Sequence, residues 1–458
     1  MQTAFERYFM SLRGKKTAVL GLGVSNRPLV RLLLNFGCDV TGCDRTPRER
    51  LDEEVLELER NGCKLSLGDG YLDGVDAAVV FRTPGMHPGN PAIVRLKEQG
   101  AKVTSEMEVF FELCPCRTIA ITGSDGKTTT TTLVSELLKA EGRKVWLGGN
   151  IGTPLLSFLP QMKAEDYAVV ELSSFQLMDM ERSAERAAIT NLAPNHLDVH
   201  KDMEEYIEAK KNVYKFQDEN GLLVINADNG ITAPLQGNGK TARFSRIRHV
   251  DNGTYLMDGV IYCARNGNSR SVLDTRDILL PGIHNVENYM TAIALTDGLV
   301  SDESIQHVAK TFGGVEHRIE VVRVKDGVRY YNDSIASSPS RTIAGLRSFP
   351  EQVILIAGGY DKQIPFDVLG PEVCKHVKKL YLTGATAQKI YDAVVNCPEY
   401  VEGKPEIYVI DDFTDTVHAA AAAEKGDVVL LSPACAAFDK FKNFMVRGQF
   451  FKKLVQEL

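Results

Sequence analysis

Thr118-Ile119-Ala120-Ile121-Thr122-Gly123-Ser124-Asp125-Gly126-Lys127-Thr128 is the stretch on which the reading of this chain turns. Thr118 to Ile121 is an apolar run expected to form a buried strand. The residues after it make a glycine turn, and a helical pattern runs on from Thr128. In that context glycines let backbone N–H groups close around phosphate, the helix N-terminus favours negative charge, Lys127 supplies a mobile cation and the Thr128 hydroxyl suits Mg²⁺. Gly123 and Gly126-Lys127 are separated by only two positions where the eight-residue P-loop pattern has four, so the loop is shorter than that pattern.

Upstream, Phe5, Phe9 and Leu12 at helical spacing lead into a strand Thr17 to Leu20 and a second glycine turn, Gly21-Leu22-Gly23. A helix from about Pro28 to Asn35, burying Leu29, Val30 and Leu32 to Leu34, and a strand Asp39 to Cys43 complete a βαβ unit with a parallel sheet. Further strands are expected at Ala77 to Phe81 and Lys102 to Thr104. Between Gly221 and Leu280, short β-like pieces such as Leu222 to Ile225 and Gly259 to Cys263 read as strands added to the domain that begins near residue 116. A third series follows: Arg329 to Asn332, Val353 to Ala357, Leu380 to Thr383, Ile407 to Ile410 and Val428 to Ser432. The runs Thr128 to Thr132 and Ala419 to Ala423 are expected inside helices, and Asp52 to Glu59 is expected as a solvated helix face.

The chain of 458 residues thus reads as α/β in three domains, 1–115, 116–314 and 315–458, consistent with about 150 residues per domain. A composition of 44% hydrophobic and 25% charged residues is globular, and a net charge of −7 offers no basic field for nucleic acid or an anionic membrane. Nine cysteines without zinc spacing suit a reducing cytoplasm, with Cys114 and Cys116 read as structural. Glu6 and Arg7 interrupt any signal-peptide core, and no run approaches the roughly 18 apolar residues of a membrane span.

A second chemical cluster follows the phosphate loop. Tyr167 to Glu171 is an apolar strand ending in an acid, as a Mg²⁺ ligand beside phosphates requires, although strand-end acids are also common helix caps. Asn191, Asn195-His196-Leu197-Asp198 and Tyr206-Ile207-Glu208-Ala209-Lys210 come next. In isolation His196 and Lys210 would be ordinary structural and surface residues.

The ordered series resembles the Mur ligase superfamily, which also contains folylpolyglutamate synthases. The shared motifs are GSDGKTT at Gly123 to Thr129, GGNIG at Gly148 to Gly152 with Asn150 inside it, ELSSFQL at Glu171 to Leu177, NHLD at Asn195 to Asp198 and the lysine at Lys210. HR at His317-Arg318, NDS at Asn332 to Ser334, GGYDK at Gly358 to Lys362 and LSPACA at Leu431 to Ala436 continue it. The resemblance implies a Rossmann-like N-terminal domain, a central P-loop-type ATPase domain with added β-strands and a C-terminal Rossmann-like domain. It implies ATP held by Gly123, Ser124, Asp125, Gly126, Lys127, Thr128 and Thr129, with Arg318 and Asp333 contributing from the C-terminal domain. Catalysis would fall to Lys127, Glu171, His196 and Lys210. Two Mg²⁺ ions would be held by Thr128 with Glu171 and by His196 with Lys210, the lysine being carbamylated by CO₂ so that it offers an oxygen anion.

The glycine-turn domain in front points to the branch that adds D-glutamate to UDP-N-acetylmuramoyl-L-alanine, because folylpolyglutamate synthases lack it. On that resemblance Gly23, Val24, Ser25, Asp44, Arg45 and the loop Thr83-Pro84-Gly85 would meet the UDP end of the substrate, with Asn150 also on the substrate side. Ser337, Lys362 and Phe444 would line the amino-acid pocket. As an NAD fingerprint the first turn is weak, since Asn26 stands where the third small residue belongs. Ile335 and Ala437 depart from the family's lysine and serine, which leaves the amino-acid pocket open. The expected enzyme is a cytoplasmic monomer. A sister ligase, a non-catalytic UDP-sugar sensor and a simple P-loop kinase are the alternatives.

Overall fold

All five strands of the first sheet run parallel, in the order Lys64–Leu67, Asp39–Asp44, Lys16–Leu20, Val79–Arg82, Lys102–Thr104. The chain reverses direction across the sheet after the edge strand Lys64–Leu67, so the turns following Lys16–Leu20 and Val79–Arg82 lie side by side at its carboxyl edge, where open α/β sheets bind ligands. Alternate residues of one strand serve different cores: Val19 packs with Phe9, Leu33 and Phe110, while Ala18 and Leu20 pack with Val80, Ile93 and Leu96. A sheet covered on both faces requires such unbroken apolar strands. The computed structural model describes residues 2–194 and 199–458, so Asn195, His196, Leu197 and Asp198 lie outside it.

The second sheet has nine strands, in the order Asn268–Asp274, Val260–Arg265, Gly253–Met257, Lys240–Ser245, Leu222–Asn226, Arg186–Ile189, Arg117–Thr122, Tyr167–Glu171, Val145–Gly149. Seven are parallel and the last two in the chain pair antiparallel; the pieces between residues 221 and 280 form strands of this same sheet. One hydrophobic core runs through both lobes, from Phe9 and Phe110 to Leu156, Val170 and Ile189. Fully burying a side chain such as Phe110 contributes about 1.5–3 kcal/mol. The helix Glu106–Leu113 that joins the lobes also accepts two backbone donors from the central one, Leu156 N–H on Glu106 (3.1 Å) and Glu181 N–H on Glu108 (3.1 Å).

The third sheet orders Glu320–Lys325, Val328–Asn332, Val428–Leu431, Val353–Ala357, Val377–Leu382, Glu406–Val409, with only the first strand antiparallel. The chain packs as two compact units, residues 1–277 with 286–308, and residues 278–285 with 309–458.

Three expectations change in detail. Leu32 and Leu34 of the helix Asn26–Asn35 are only half-buried, because the core-facing stripe is Leu29, Val30 and Leu33. The helix Phe413–Ala420 ends before Ala423, with Ala421 as its C-cap. Asp52 to Glu59 is not merely solvated: Asp52 caps the helix Glu53–Arg60, and Arg27 pairs with Asp52 and Glu54 (both 2.6 Å) while Arg31 reaches Glu54 (2.9 Å) and Glu57 (3.4 Å).

Candidate active site

The phosphate turn joins Arg117–Thr122 to the helix Lys127–Ala140, and two of its glycines are obligatory. Gly123 has φ +148° and a Cβ there would stand 1.9 Å from Thr190 Oγ1; Gly126 has φ +75° and a Cβ would meet Asn288 Oδ1 at 2.5 Å. The turn is held from beneath. Ser124 N–H donates to Asn191 O, Asp125 N–H to Asn191 Oδ1 (both 2.9 Å), and Thr190 Oγ1–H to Asp125 O (2.6 Å). With the Ser124 and Asp125 amides used in this way, the donors left for phosphate are the amides of the first helical turn, which intrahelical bonding does not satisfy. The Lys127 ammonium lies back over the turn, donating to Ser124 O at 2.8 Å.

Lys210 sits directly behind this cradle. It projects from the helix Met203–Lys211, is 2% exposed, and donates to Thr122 Oγ1 (3.0 Å) and Gly123 O (2.9 Å) with its ammonium over the Tyr206 ring. Burial, reinforced by the positive charge of Lys127, pushes its amine well below the usual lysine range. Tyr206 OH and Ser124 Oγ share a 2.9 Å hydrogen bond, so the helix and the turn are locked together.

Glu171 ends the strand Tyr167–Glu171 and is almost completely buried. Its Oε1 accepts from Asn150 Nδ2 at 2.7 Å, while Oε2 is buried without a hydrogen-bond partner among the described residues. An orphaned carboxylate oxygen inside the protein is costly unless a cation meets it. Thr128 and Thr129 lie half-buried in the first helical turn, and His196 lies outside the described residues.

In the first sheet, Asp44 accepts from Leu22 N–H (2.7 Å) and Thr46 N–H (2.9 Å), and these bonds hold its carboxyl below the usual range despite partial burial. Gly23, Val24, Ser25 and Arg45 are exposed beside it. On the neighbouring strand, Thr83 and Pro84 are half-buried and Gly85 is exposed.

The remaining predicted residues belong to the second unit. Asp333 is buried, accepts from Ser432 Oγ–H (2.7 Å), and is pushed up to about 7 by desolvation. Phe444 packs edge-on against His317, its carbonyl accepting from Ser334 Oγ–H at 2.8 Å. Ser337 is half-buried, and Arg318 and Lys362 are exposed. Ile335 is half-buried and Ala437 buried, where the resemblance had led to a lysine and a serine.

The sequence reading missed several residues that shape these loops. Asn288 accepts from Thr130 Oγ1–H (3.1 Å) under the phosphate turn, and buried Arg447 donates to Ser334 O, Cys435 O and Ala436 O (2.9, 3.0 and 3.1 Å). Arg82, His87 and Glu205 belong to the same group. The one sequence signal was an arginine at the end of the apolar run Val79 to Phe81, where a solvent-facing charge is not expected.

A strand–turn–helix glycine turn, a buried lysine behind it and an orphaned carboxylate on the neighbouring strand make up the candidate site. Profiles described as "Mur ligase middle domain" and "Mur ligase, glutamate ligase domain" match residues 121–296 and 317–435. The chain is 49% identical to the UDP-N-acetylmuramoylalanine--D-glutamate ligase of Clostridium novyi (strain NT), over 100% of both chains. It is 48% identical to the protein of the same name from Clostridium perfringens (strain 13 / Type A), again over 100% of each. Among solved structures it shares the fold of the UDP-N-acetylmuramate-alanine ligase of Thermotoga maritima, with 19% identity, TM-score 0.56 and coverage of 97% of this chain and 99% of that one. The chain belongs to the Mur ligase family.

Proposed function

We propose that the protein is an ATP-dependent amide ligase that joins D-glutamate to UDP-N-acetylmuramoyl-L-alanine in the synthesis of peptidoglycan precursors. The observation that carries this reading is the 49% identity, end to end, with the Clostridium novyi enzyme of that activity. In the reaction the alanyl carboxylate takes the γ-phosphoryl group of ATP and ADP leaves. The amine of D-glutamate then attacks the resulting acyl phosphate, releasing phosphate and a proton and forming the amide.

Lys127 and the first-turn amides of Lys127–Ala140 receive the β and γ phosphates and offset the repulsion between carboxylate and triphosphate. The orphaned Glu171 Oε2 fits a hard divalent cation, with Thr128 beside the phosphates as its second protein ligand. His196 and Lys210 serve a second such site. Mg²⁺ there supplies charge neutralisation and orients the oxygens that react. Lys210 suits carbamylation: burial favours its neutral amine, which adds to CO₂ to give a carbamate and a proton. Asp44, Arg45, Gly23, Val24, Ser25 and the loop Thr83-Pro84-Gly85 receive the UDP moiety, with Asn150 orienting Glu171 from the substrate side. Arg318 and Asp333 contact ATP, and Ser337, Lys362 and Phe444 contact D-glutamate.

In this reading residues 1–115, 116–314 and 315–458 act as three domains of a cytoplasmic monomer, with no nucleic-acid or membrane partner. All nine cysteines are unpaired, which suits a reducing compartment, and among the described residues no helix is long and apolar enough to cross a membrane. Ile335 and Ala437 favour one competitor, a sister ligase for another amino acid. Phosphate release from ATP with UDP-N-acetylmuramoyl-L-alanine separates the two: D-glutamate supports turnover and L-glutamate does not. Equal turnover with L-lysine or meso-diaminopimelate would select the sister activity.

A further inference from the structure

Arg82 is the largest side chain that the protein buries completely, at 1% exposure, and it sits at the end of the strand Val79–Arg82. Its guanidinium folds back into the loop that follows. Nη1 donates to Met86 O (2.7 Å), Thr83 O (3.2 Å) and Pro84 O (3.4 Å). Nη2 leaves the first lobe, donating to Phe175 O (3.3 Å) and pairing with Asp179, both in the segment that follows Glu171. A bonded, buried arginine in this position costs desolvation energy that an apolar residue would not, so its role lies in geometry more than in stability.

That geometry has a directional consequence. In a trans peptide the C=O of one residue and the N–H of the next point in opposite directions. Because the carbonyls of Pro84 and Met86 are drawn inward to Arg82, the N–H groups of Gly85 and His87 are turned outward. Neither amide has a hydrogen-bond partner among the described residues. Gly85 is exposed, and a Cβ built on it meets nothing within 4 Å, so a ligand can approach its backbone closely. Two outward amides on adjacent turns make a small anion-binding nest.

The loop is tied to the central lobe a second time. His87 Nε2 lies 3.2 Å from Glu205 Oε1, and Glu205 stands on the helix Met203–Lys211 that ends in Lys210. Glu205 Oε2 also accepts from Lys201 N–H and faces His200, whose other ring nitrogen bonds Ser174 Oγ at 2.9 Å.

We propose that Arg82 is a positioning residue for the nucleotide-sugar substrate: it turns the Gly85 and His87 amides toward the diphosphate and ties that loop to the segments carrying Glu171 and Lys210. This inference rests on the proposed UDP-linked substrate. Arg82→Lys keeps the charge but not the fork that reaches four carbonyls and Asp179 together. It is expected to raise KM for UDP-N-acetylmuramoyl-L-alanine about tenfold, the worth of one or two lost hydrogen bonds, with KM for ATP changed less than about twofold. Calorimetric binding of the same substrate without ATP should weaken in parallel. Gly85→Pro removes one outward amide without touching Arg82, and Gly85→Ala controls for bulk. The Pro variant is expected to bind at least about fivefold more weakly than the Ala variant at similar melting temperature. Equal binding by Gly85→Pro and Gly85→Ala, or equal changes in both KM values in Arg82→Lys, would overturn the proposal. Absence of D-glutamate turnover in the unmutated enzyme, with intact calorimetric binding of the UDP substrate, would instead count against the proposed reaction and leave the loop measurements decisive for Arg82.

Discussion

The two glycine turns, Gly21-Leu22-Gly23 and Gly123 to Gly126, stand on the same strand–turn–helix scaffold and are furnished with opposite charge. At the first, the Leu22 amide is taken by the Asp44 carboxylate, the Leu20 and Gly21 carbonyls accept from Asn26, and the nearby cation Arg27 is neutralised by Asp52 and Glu54. At the second, two lysines converge, and the Lys210 amine is depressed by burial first and then by the charge of Lys127. A turn with a carboxylate acceptor suits hydroxyl and base N–H donors, whereas a turn with lysines at a helix N-terminus suits a triphosphate. The scaffold provides the place, and the side chains from neighbouring strands choose the ligand.

Mutations at the two turns should therefore separate cleanly. The largest effect is expected for Lys210→Ala, with kcat reduced on the order of 10³-fold because the second cation site loses the oxygen anion that the carbamylated lysine would supply. Acetate should partly restore the Ala variant and leave the unmutated enzyme unchanged. Rescue by small amines in place of carboxylates would mean that Lys210 acts as a cation toward phosphate. Next comes Lys127→Ala, with kcat down roughly 10²-fold, about 3 kcal/mol of transition-state stabilisation, and calorimetric affinity for the UDP substrate retained. Loss of that affinity would join the two turns into one binding unit.

At the first turn, Asp44→Asn should act on KM for the UDP substrate alone, by about fivefold, since the amide keeps its size but loses acceptor strength. A matching rise in KM for ATP would break the division of labour. The smallest effect concerns the helix between the turns. Glu106 is buried and pushed up to about 7 from the ordinary carboxylate value, so the folded protein retains a proton that the unfolded chain releases as pH rises toward 7. Its penalty is absent below the unfolded value, grows as pH rises, and is complete above about 7. Glu106→Gln should then raise the melting temperature by about 3 °C at pH 8 and leave it unchanged at pH 4, as read by scanning calorimetry. Equal shifts at both values would mean that packing, not ionisation, is responsible.

Legibility in the sequence followed burial. Val353–Ala357 is legible with its bounds, and Arg117–Thr122 within a residue at each end, because an apolar run between turn residues is what a buried parallel strand requires. The strand Lys64–Leu67 was not found: it lies on a sheet edge with no fully buried residue, so it carries no apolar run. Ala421 to Ala423 have high helix propensity yet lie beyond the helix end, where Asp427 accepts from Glu424 N–H and the chain returns toward the strand Val428–Leu431. Acidic residues at 52–59 read as solvated because their partners, Arg27 and Arg31, are about 25 residues away in sequence and adjacent only in the fold.

What the sequence determined by itself is local: the strand, the glycines that a tight turn needs, the lysine and threonine after them, and the order of motifs that marks the family. Each depends on a few neighbouring residues and on backbone geometry, which the order of residues carries directly. The tertiary structure alone decided which atoms are left unsatisfied. The orphaned Glu171 Oε2, the Lys210 amine held between Thr122 and Gly123, and the Arg82–Asp179 pair arise where segments remote in sequence meet. Desolvation and hydrogen-bond direction are properties of that meeting, since the cost of burying a charge depends on every group packed around it.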